Sequence, residues 1–331
     1  MTNVFTGKNI LIFAPKFFGY EIEISKRMEE LGAFVTLCDE RPSNSFLTKV
    51  VIRLKPTLLK KRIISHYEKA LNQNMKFDFV FFFKGETALP EVIDIVRNKL
   101  PESKVILYLI DSIANYPHLV SSLNKFDKVL SFDSQDSDCH KSIQFRPLFY
   151  LNDYSLIKNL QSEDKIDVLF IGTVHSDRWP FLEQIKKQAE QNGLSVYYYL
   201  YFQSPIIFYF KKVFDKNYKT IPIGAAKFRS ISKFEILKLF EQAVAIVDIQ
   251  HPKQTGLTMR SIEVFGANKK LITTNIRITQ YDLYNPNNIC LADRKQPILN
   301  IDFIKETNQH VTPKIYSKYS IDSWLKEIFS I

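Results

Sequence analysis

Cysteine and glycine are both scarce in this chain, and several familiar signatures are missing. Only three cysteines occur in 331 residues, Cys38, Cys139 and Cys290, with no C-x-x-C spacing and no histidine cluster nearby. That argues against a disulfide framework and a structural zinc site. Cys38 and Cys290 fall in strand-like runs and are expected to be buried thiols, as suits a reducing compartment. The nine glycines form no G-x-G-x-x-G, so a dinucleotide dehydrogenase is rejected, and the P-loop signature is missing too. Neither G-x-S-x-G nor H-E-x-x-H occurs, which leaves the corresponding hydrolase and metalloprotease chemistries without support. No apolar run reaches the roughly 18 residues of a membrane span. The N-terminus is polar from Met1 to Lys8 and leads straight into a strand. No signal peptide is expected from it, and the protein is expected to be cytoplasmic.

What is present is globular. The chain is 45% hydrophobic and 24% charged, without low-complexity segments. Its length allows two domains, each with its own core. The net charge of +10 favours a polyanionic partner, an anionic membrane surface or phosphorylated substrates, without choosing among them.

Short apolar strands alternate with amphipathic segments, the pattern of a parallel sheet covered on both faces. Strands are expected at 9–14, 33–38, 77–83, 104–110, 128–132 and about 144–148, with helices at 20–31, 58–72 and 89–100. After a charged stretch at 161–165 the scheme resumes, with strands at 166–172, 194–201, 243–249, 270–274 and 288–291. Its helices are expected at 179–192, 232–242 and 257–267, and a last one closes the chain at 321–329. The expected fold is α/β, two Rossmann-like domains whose parallel sheets face an interdomain cleft. The expected division is 1–152, 153–315 and a C-terminal helix in 316–331 that packs back toward the N-terminal domain.

In open α/β sheets, ligands bind beyond the carboxyl ends of strands. In the first half those ends carry Phe18, Gly19 and Tyr20, then Glu86, Asp111 and Asp133. In the second they carry Gly172, Thr173 and Arg178, then Gln250 and His251. Gly172-Thr173 has the look of a phosphate-facing turn. His175 and His251 both follow strands, although loop histidines without a role are the plainer reading.

The most informative stretch runs from Gln254 through Thr255, Gly256, Leu257 and Thr258 to Arg260 and Glu263. A glycine turn opens a short helix there, whose start offers N–H groups and a positive dipole end to an anion. Arg260 and Glu263 share a helix face. The arginine suits phosphate and the carboxylate suits ribose hydroxyls, while an ordinary i,i+3 surface ion pair is the alternative. A general base needs a carboxylate within reach of an acceptor hydroxyl. Asp111, after a very apolar strand, is the first choice and Glu86 the second, with capping as the competing role for Asp111.

Two basic stretches, 46–64 and 201–219, mix lysines and arginines with aliphatic and aromatic residues. They suit an anionic lipid interface, or else solvated helix faces over a core. The aromatic platforms of single-strand or RNA readers are not patterned here, so no nucleic-acid partner is expected.

The segment from Val247-Asp248-Ile249-Gln250-His251-Pro252 through Glu263 to Asn275 resembles the donor site of GT-B glycosyltransferases. The nearest likeness is to bacterial lipopolysaccharide and capsular polysaccharide biosynthesis proteins of the CgeB-like group. Tyr108-Leu109-Ile110-Asp111-Ser112, Ser131-Phe132-Asp133-Ser134-Gln135-Asp136 and Asp167-Val168-Leu169-Phe170-Ile171-Gly172-Thr173 resemble that group's other strand ends. The resemblance implies a metal-independent transferase with no cofactor. A nucleotide-sugar donor would sit on the C-terminal half, on Gly172, Thr173, Arg178 and the residues from Gln254 to Glu263. A glycan or lipid-linked acceptor would lie near Phe18, Gly19, Tyr20 and Asp133. In that reading Gly256, Leu257 and Thr258 give backbone N–H groups to phosphate, Arg260 pairs with the diphosphate and Glu263 with the ribose. Thr255 stands eight positions before Glu263, where retaining members often carry a second glutamate, so inversion is expected. The implied place of action is the inner face of a membrane. A catalytically silent relative, or a sugar-nucleotide epimerase, would share the architecture.

Overall fold

The computed structural model describes residues 3–71, 76–158, 160, 162, 165–174, 177–252 and 254–331. Two units emerge, Met1–Leu148 together with Ile321–Ile331, and Phe149–Ser320. Each is built on a six-stranded sheet.

In the first unit the strands are β1 (Asn9–Ala14), β2 (Phe34–Asp39), β3 (Phe79–Phe83), β4 (Lys104–Leu109), β5 (Lys128–Ser131) and β6 (Ile143–Phe145). They pair in parallel in the order β2-β1-β3-β4-β5-β6. The helices are α1 (Tyr20–Glu30), α2 (Phe46–Leu54), α3 (Lys60–Ala70), α4 (Pro90–Lys99) and α5 (Ser134–Cys139). The central strand β3 reads Phe-Val-Phe-Phe-Phe and is buried throughout, as a strand covered on both faces must be. The edge strand β2 is half-exposed along its length. One face of the sheet packs Ile63, Tyr67, Val92, Ile93 and Val96 against Leu11, Phe82 and Leu107.

The chain's last helix, α14 (Ile321–Phe329), belongs to this first unit. Trp324 sits edge-on to Tyr108 with ring centroids 4.8 Å apart, and Phe329 meets Phe5, Phe79 and Phe81 at 5.1–5.3 Å. Two ion pairs fasten it, a bidentate one from Arg27 to Asp322 and one from the buried Arg146 to Glu327.

The second unit holds β7 (Ile166–Thr173), β8 (Val196–Tyr201), β9 (Ala226–Lys227), β10 (Ala243–Asp248), β11 (Lys270–Thr273) and β12 (Ile289–Leu291). The order is β12-β11-β10-β7-β8-β9, again parallel. Its helices are α6 (Asn152–Ile157), α7 (Arg178–Gln191), α8 (Pro205–Phe214), α9 (Lys216–Lys219), α10 (Lys233–Gln242), α11 (Met259–Gly266), α12 (Ile301–Lys305) and α13 (Pro313–Lys318). Local chemistry sets the starts. Ser232 and Glu235 form a reciprocal capping box on α10, and Thr258 caps α11 through Ser261 N.

Each sheet changes direction once. The chain winds outward on either side of the β1/β3 junction in the first unit and of the β7/β10 junction in the second. Ligands of doubly wound sheets sit at such switch points.

The sequence pattern misplaced several elements. The expected helix at 58–72 begins as a 3-10 turn at Pro56–Leu59, because Pro56 fixes a turn start before α3 can form. The two basic stretches each contain a helix, α2 and α8, and the short α5, α6 and β9 were not foreseen. Cys38 and Cys290 are only partly buried. Of the charged stretch, positions 161, 163 and 164 lie outside the described residues, as do His175 and Ser176.

Candidate functional site

At the β7/β10 switch point of the second unit, two arginines far apart in sequence, Arg178 and Arg294, converge on acidic and carbonyl groups. Arg178, at the start of α7, donates from Nη1 to the carbonyl of Thr173 at 2.8 Å. Its Nε is buried without a hydrogen-bond partner among the described residues. Burial pushes this guanidinium down from its usual range, the charge of Asp248 opposes that, and the charge of Arg294 adds to it. Arg294, three residues beyond β12, grips Asp177 through two bonds of 2.7 Å and reaches the Gln250 carbonyl at 3.0 Å. Its signal was legible: it follows a strand end, as Arg178 does, yet sequence reasoning passed it over.

The loop from Gln254 to Thr258 is held from beneath. Asn275, 3% exposed, donates to the carbonyls of Thr255 and Gly256 at 3.2 and 3.3 Å, and Gln254 also donates to Gly256 O. Asp248 accepts from Thr258 Oγ1 at 2.5 Å and Ser261 Oγ at 2.6 Å. The cap of α11 is thus tied to the end of β10, and Thr274 Oγ1 donates to Gln250 in the same loop cluster.

Arg260 and Glu263, expected at the donor, pair with each other. Their side chains form a 2.7 Å ion pair in which the carboxylate side chain is 6% exposed. The guanidinium lies over the Phe240 ring at 5.0 Å, and Tyr154, from α6, packs on that same ring. Burial and the neighbouring charge of Glu263 raise the Tyr154 hydroxyl far above its ordinary value. The pair therefore fastens α11 to α6 and α10. The diphosphate and ribose contacts expected of these two residues would require that pair to open.

The first unit gathers charge at its own switch point. Glu86, 4% exposed, receives two bonds from Arg41 at 2.7 and 2.8 Å, one from the Tyr116 hydroxyl at 3.2 Å and an ion pair from Lys84 at 2.5 Å. Burial pushes Glu86 up, but Arg41 and Lys84 outweigh it and hold the carboxyl at about 2. So saturated and so acidic a group is a poor general base. Lys84 adopts a positive φ of 96° and its ammonium lies 5.6 Å from both the Phe17 and the Tyr116 rings. Glu40 is wholly buried, and its Oε2 has no hydrogen-bond partner among the described residues. Burial, and then the charge of Glu86, drive its carboxyl well above the usual range.

The other expected residues scatter along the same edge of that sheet. Phe18 is 90% exposed at φ 53°, and Gly19 caps α1 at φ 83°. Tyr20 is buried beneath Phe17 at 6.1 Å. Asp111 is half-buried and accepts from Ser112 N at 3.1 Å and Asn115 Nδ2 at 2.7 Å. Asp133 is 1% exposed and caps α5 through Gln135 N. Among the described residues no cluster of three or more His, Cys, Asp or Glu could hold a metal ion.

The sequence matches no protein-family model and no curated protein. The fold, however, is shared along the whole chain with solved structures. An alpha-glucosyltransferase in complex with UDP and a 13-mer DNA containing a central A:G mismatch aligns with 97% of this chain and 98% of its own. The TM-score is 0.63 at 15% identity. Anabaena Alr3699/HepE, in complex with UDP and glucose, aligns over 98% and 99% with a TM-score of 0.55 at 12% identity. The lipopolysaccharide outer core galactosyltransferase WaaB, in its apo form, aligns over 97% and 99% with a TM-score of 0.52 at 13% identity. These structural neighbours are GT-B glycosyltransferases, and the fold of this chain is GT-B, with two Rossmann-like α/β units.

Proposed function

We propose that the protein is a glycosyltransferase of bacterial surface polysaccharide synthesis. It transfers a sugar from a nucleotide-sugar donor bound by the second unit to a glycan or lipid-linked acceptor on the first. It acts at the inner face of a membrane. The observation that carries the donor assignment is the convergence of Arg178, Arg294 and the Thr258-capped start of α11 at the β7/β10 switch point. Two guanidiniums and a helix N-terminus supply the positive charge that a diphosphate leaving group needs, so no metal enters this reading.

The chemistry is a single displacement. The acceptor oxygen attacks the anomeric carbon, the bond from that carbon to the diphosphate oxygen breaks, and the nucleoside diphosphate departs with the electron pair. Asp111 takes the hydroxyl proton. It is the better candidate base because Glu86 and Asp133 are committed to buried structural contacts. One displacement inverts the anomeric centre. Phe18, exposed beside Gly19, offers its ring face to an acceptor sugar.

A thermal-shift screen against UDP, GDP, CMP, dTDP and their sugar conjugates tests the donor site. A ligand that binds only the folded state raises the melting temperature by mass action. One nucleotide should give a shift that Arg178→Ala abolishes, and Asp111→Asn should keep that shift while losing transfer. No shift with any nucleotide at millimolar concentration would sink the reading in favour of a catalytically silent binding protein.

A further inference from the structure

Helix α8 turns its apolar side chains to solvent instead of to the core. Ile206, Phe210 and Val213 are spaced four and three apart and so share one face. They are 81%, 64% and 64% exposed, and Phe214, 72% exposed, packs on Phe210 with ring centroids 4.7 Å apart. The inward face is anchored by Phe208, 1% exposed, whose ring lies 4.6 Å from that of Phe202. Lys211 and Lys212 flank the stripe. They are tied down to the Tyr218 hydroxyl and to the carbonyls of Lys219 and Ile221. Lys216, Lys219 and Lys227 follow, all exposed. Asp215 is the only acid from position 205 to 227, and it is occupied in capping α9.

We propose that α8 lies flat on an anionic lipid surface, with Ile206, Phe210, Val213 and Phe214 among the acyl chains and Lys216, Lys219 and Lys227 on the headgroups. At ten residues it is about 15 Å long, half the roughly 30 Å that a span requires. An apolar stripe with a cationic collar is the composition of an in-plane interfacial helix. Charge complementarity selects the occupant. A second copy of this chain would press one lysine collar against another, at a cost in like-charge repulsion. Lysine is also depleted in protein–protein interfaces. This inference deepens the membrane part of the functional reading and owes nothing to the donor site.

Sedimentation of the full chain with vesicles tests it, using phosphatidylcholine alone and phosphatidylcholine mixed with phosphatidylglycerol. Binding is expected to the anionic vesicles and to weaken with salt. Phe210→Ser with Phe214→Ser should abolish it. Neutralising Lys216, Lys219 and Lys227 to alanine should lower partition by roughly fivefold each, about a hundredfold together. Equal binding to both vesicle types, or unchanged binding of the phenylalanine variant, would overturn the proposal. So would a dimer seen by light scattering that the phenylalanine variant loses while vesicles bind no protein. Both variants alter only exposed positions and should melt with the wild type. Vesicle binding without any nucleotide-induced shift would count against the transferase reading alone.

Discussion

Arg294 holds Asp177 across 117 residues of sequence, each carboxylate oxygen receiving one 2.7 Å bond from the guanidinium. The same side chain reaches the Gln250 carbonyl, so the start of α7 and the end of β10 are fixed to one planar group. Asp177 is half-exposed, so the pair itself contributes only about 1 kcal/mol to stability. A phosphate contact from the same guanidinium is worth more, roughly 1.5–3 kcal/mol. Arg294→Ala should therefore leave the melting temperature nearly unchanged and weaken nucleotide binding about tenfold to a hundredfold. Calorimetric titration with the nucleotide found by thermal shift decides it. An unchanged dissociation constant would reduce Arg294 to a structural tie.

The Arg260–Glu263 pair should behave in the opposite sense. With the carboxylate buried and the guanidinium over Phe240, removing one partner strands the other in a poorly solvated place. Such losses run to about 3–5 kcal/mol. Glu263→Gln and Arg260→Ala are expected to unfold at visibly lower denaturant. An apolar double replacement, Arg260→Met with Glu263→Leu, should recover much of the loss. A single variant with full stability but no nucleotide binding would support the diphosphate and ribose roles for these residues.

Glu86 and Glu40 give the first unit two opposed pH dependences. The folded value of Glu86, about 2, lies below the ordinary 4.5. Its contribution is fully present above pH 4.5 and is lost as pH falls toward 2. Glu40 lies above 4.5 when folded, so its contribution is present below pH 4.5 and declines as pH rises from there. Glu86→Gln should cost about 3–5 kcal/mol at neutral pH by leaving Arg41 and Lys84 uncompensated. Glu40→Gln should gain on the wild type as pH rises from 4.5 to 7. Urea titrations at several pH values check both, and a Glu40→Gln difference that does not grow with pH would refute its assignment.

The alternation of apolar strands with amphipathic segments was enough to define the two-unit α/β architecture, because a run such as Phe79–Phe83 fits only a strand buried on both faces. The polar strand ends were legible by the same rule, and Arg178 and the loop before α11 came from it. What the pattern could not carry was partnership. Arg260 and Glu263 look like ligand residues in sequence, and the rings that enclose them, Tyr154 and Phe240, lie far away along the chain. Glu86 stood at a strand end as expected, but besides its near neighbour Lys84 its saturation depends on Arg41 and Tyr116, from two other loops. Helix α8 stood outside the expected helices, with solvated helix faces only the alternative for its stretch, because its outward face is apolar and inverts the usual surface pattern.

Gly266 tests whether the last turn of α11 helps to seat the loop at its start. A Cβ there would fall 2.4 Å from Cγ of Tyr150 and 2.6 Å from its Cβ. Those atoms sit next to the backbone and cannot swing aside. Tyr150 is 2% exposed and stacked near Tyr316, whose hydroxyl donates to the Gly266 carbonyl at 2.5 Å. Gly266→Ala gains roughly 1 kcal/mol in helix propensity against an overpacking cost of about 1–3 kcal/mol. The clash should prevail and lower the melting temperature by roughly 2–8 °C. Because Thr258 and Ser261 tie α11 to Asp248, the helix shift that relieves the clash also disturbs the loop of Gly256. Nucleotide affinity should fall along with stability. Gly224→Ala is the control, since nothing among the described residues lies within 4 Å of its added carbon, and it should change neither quantity.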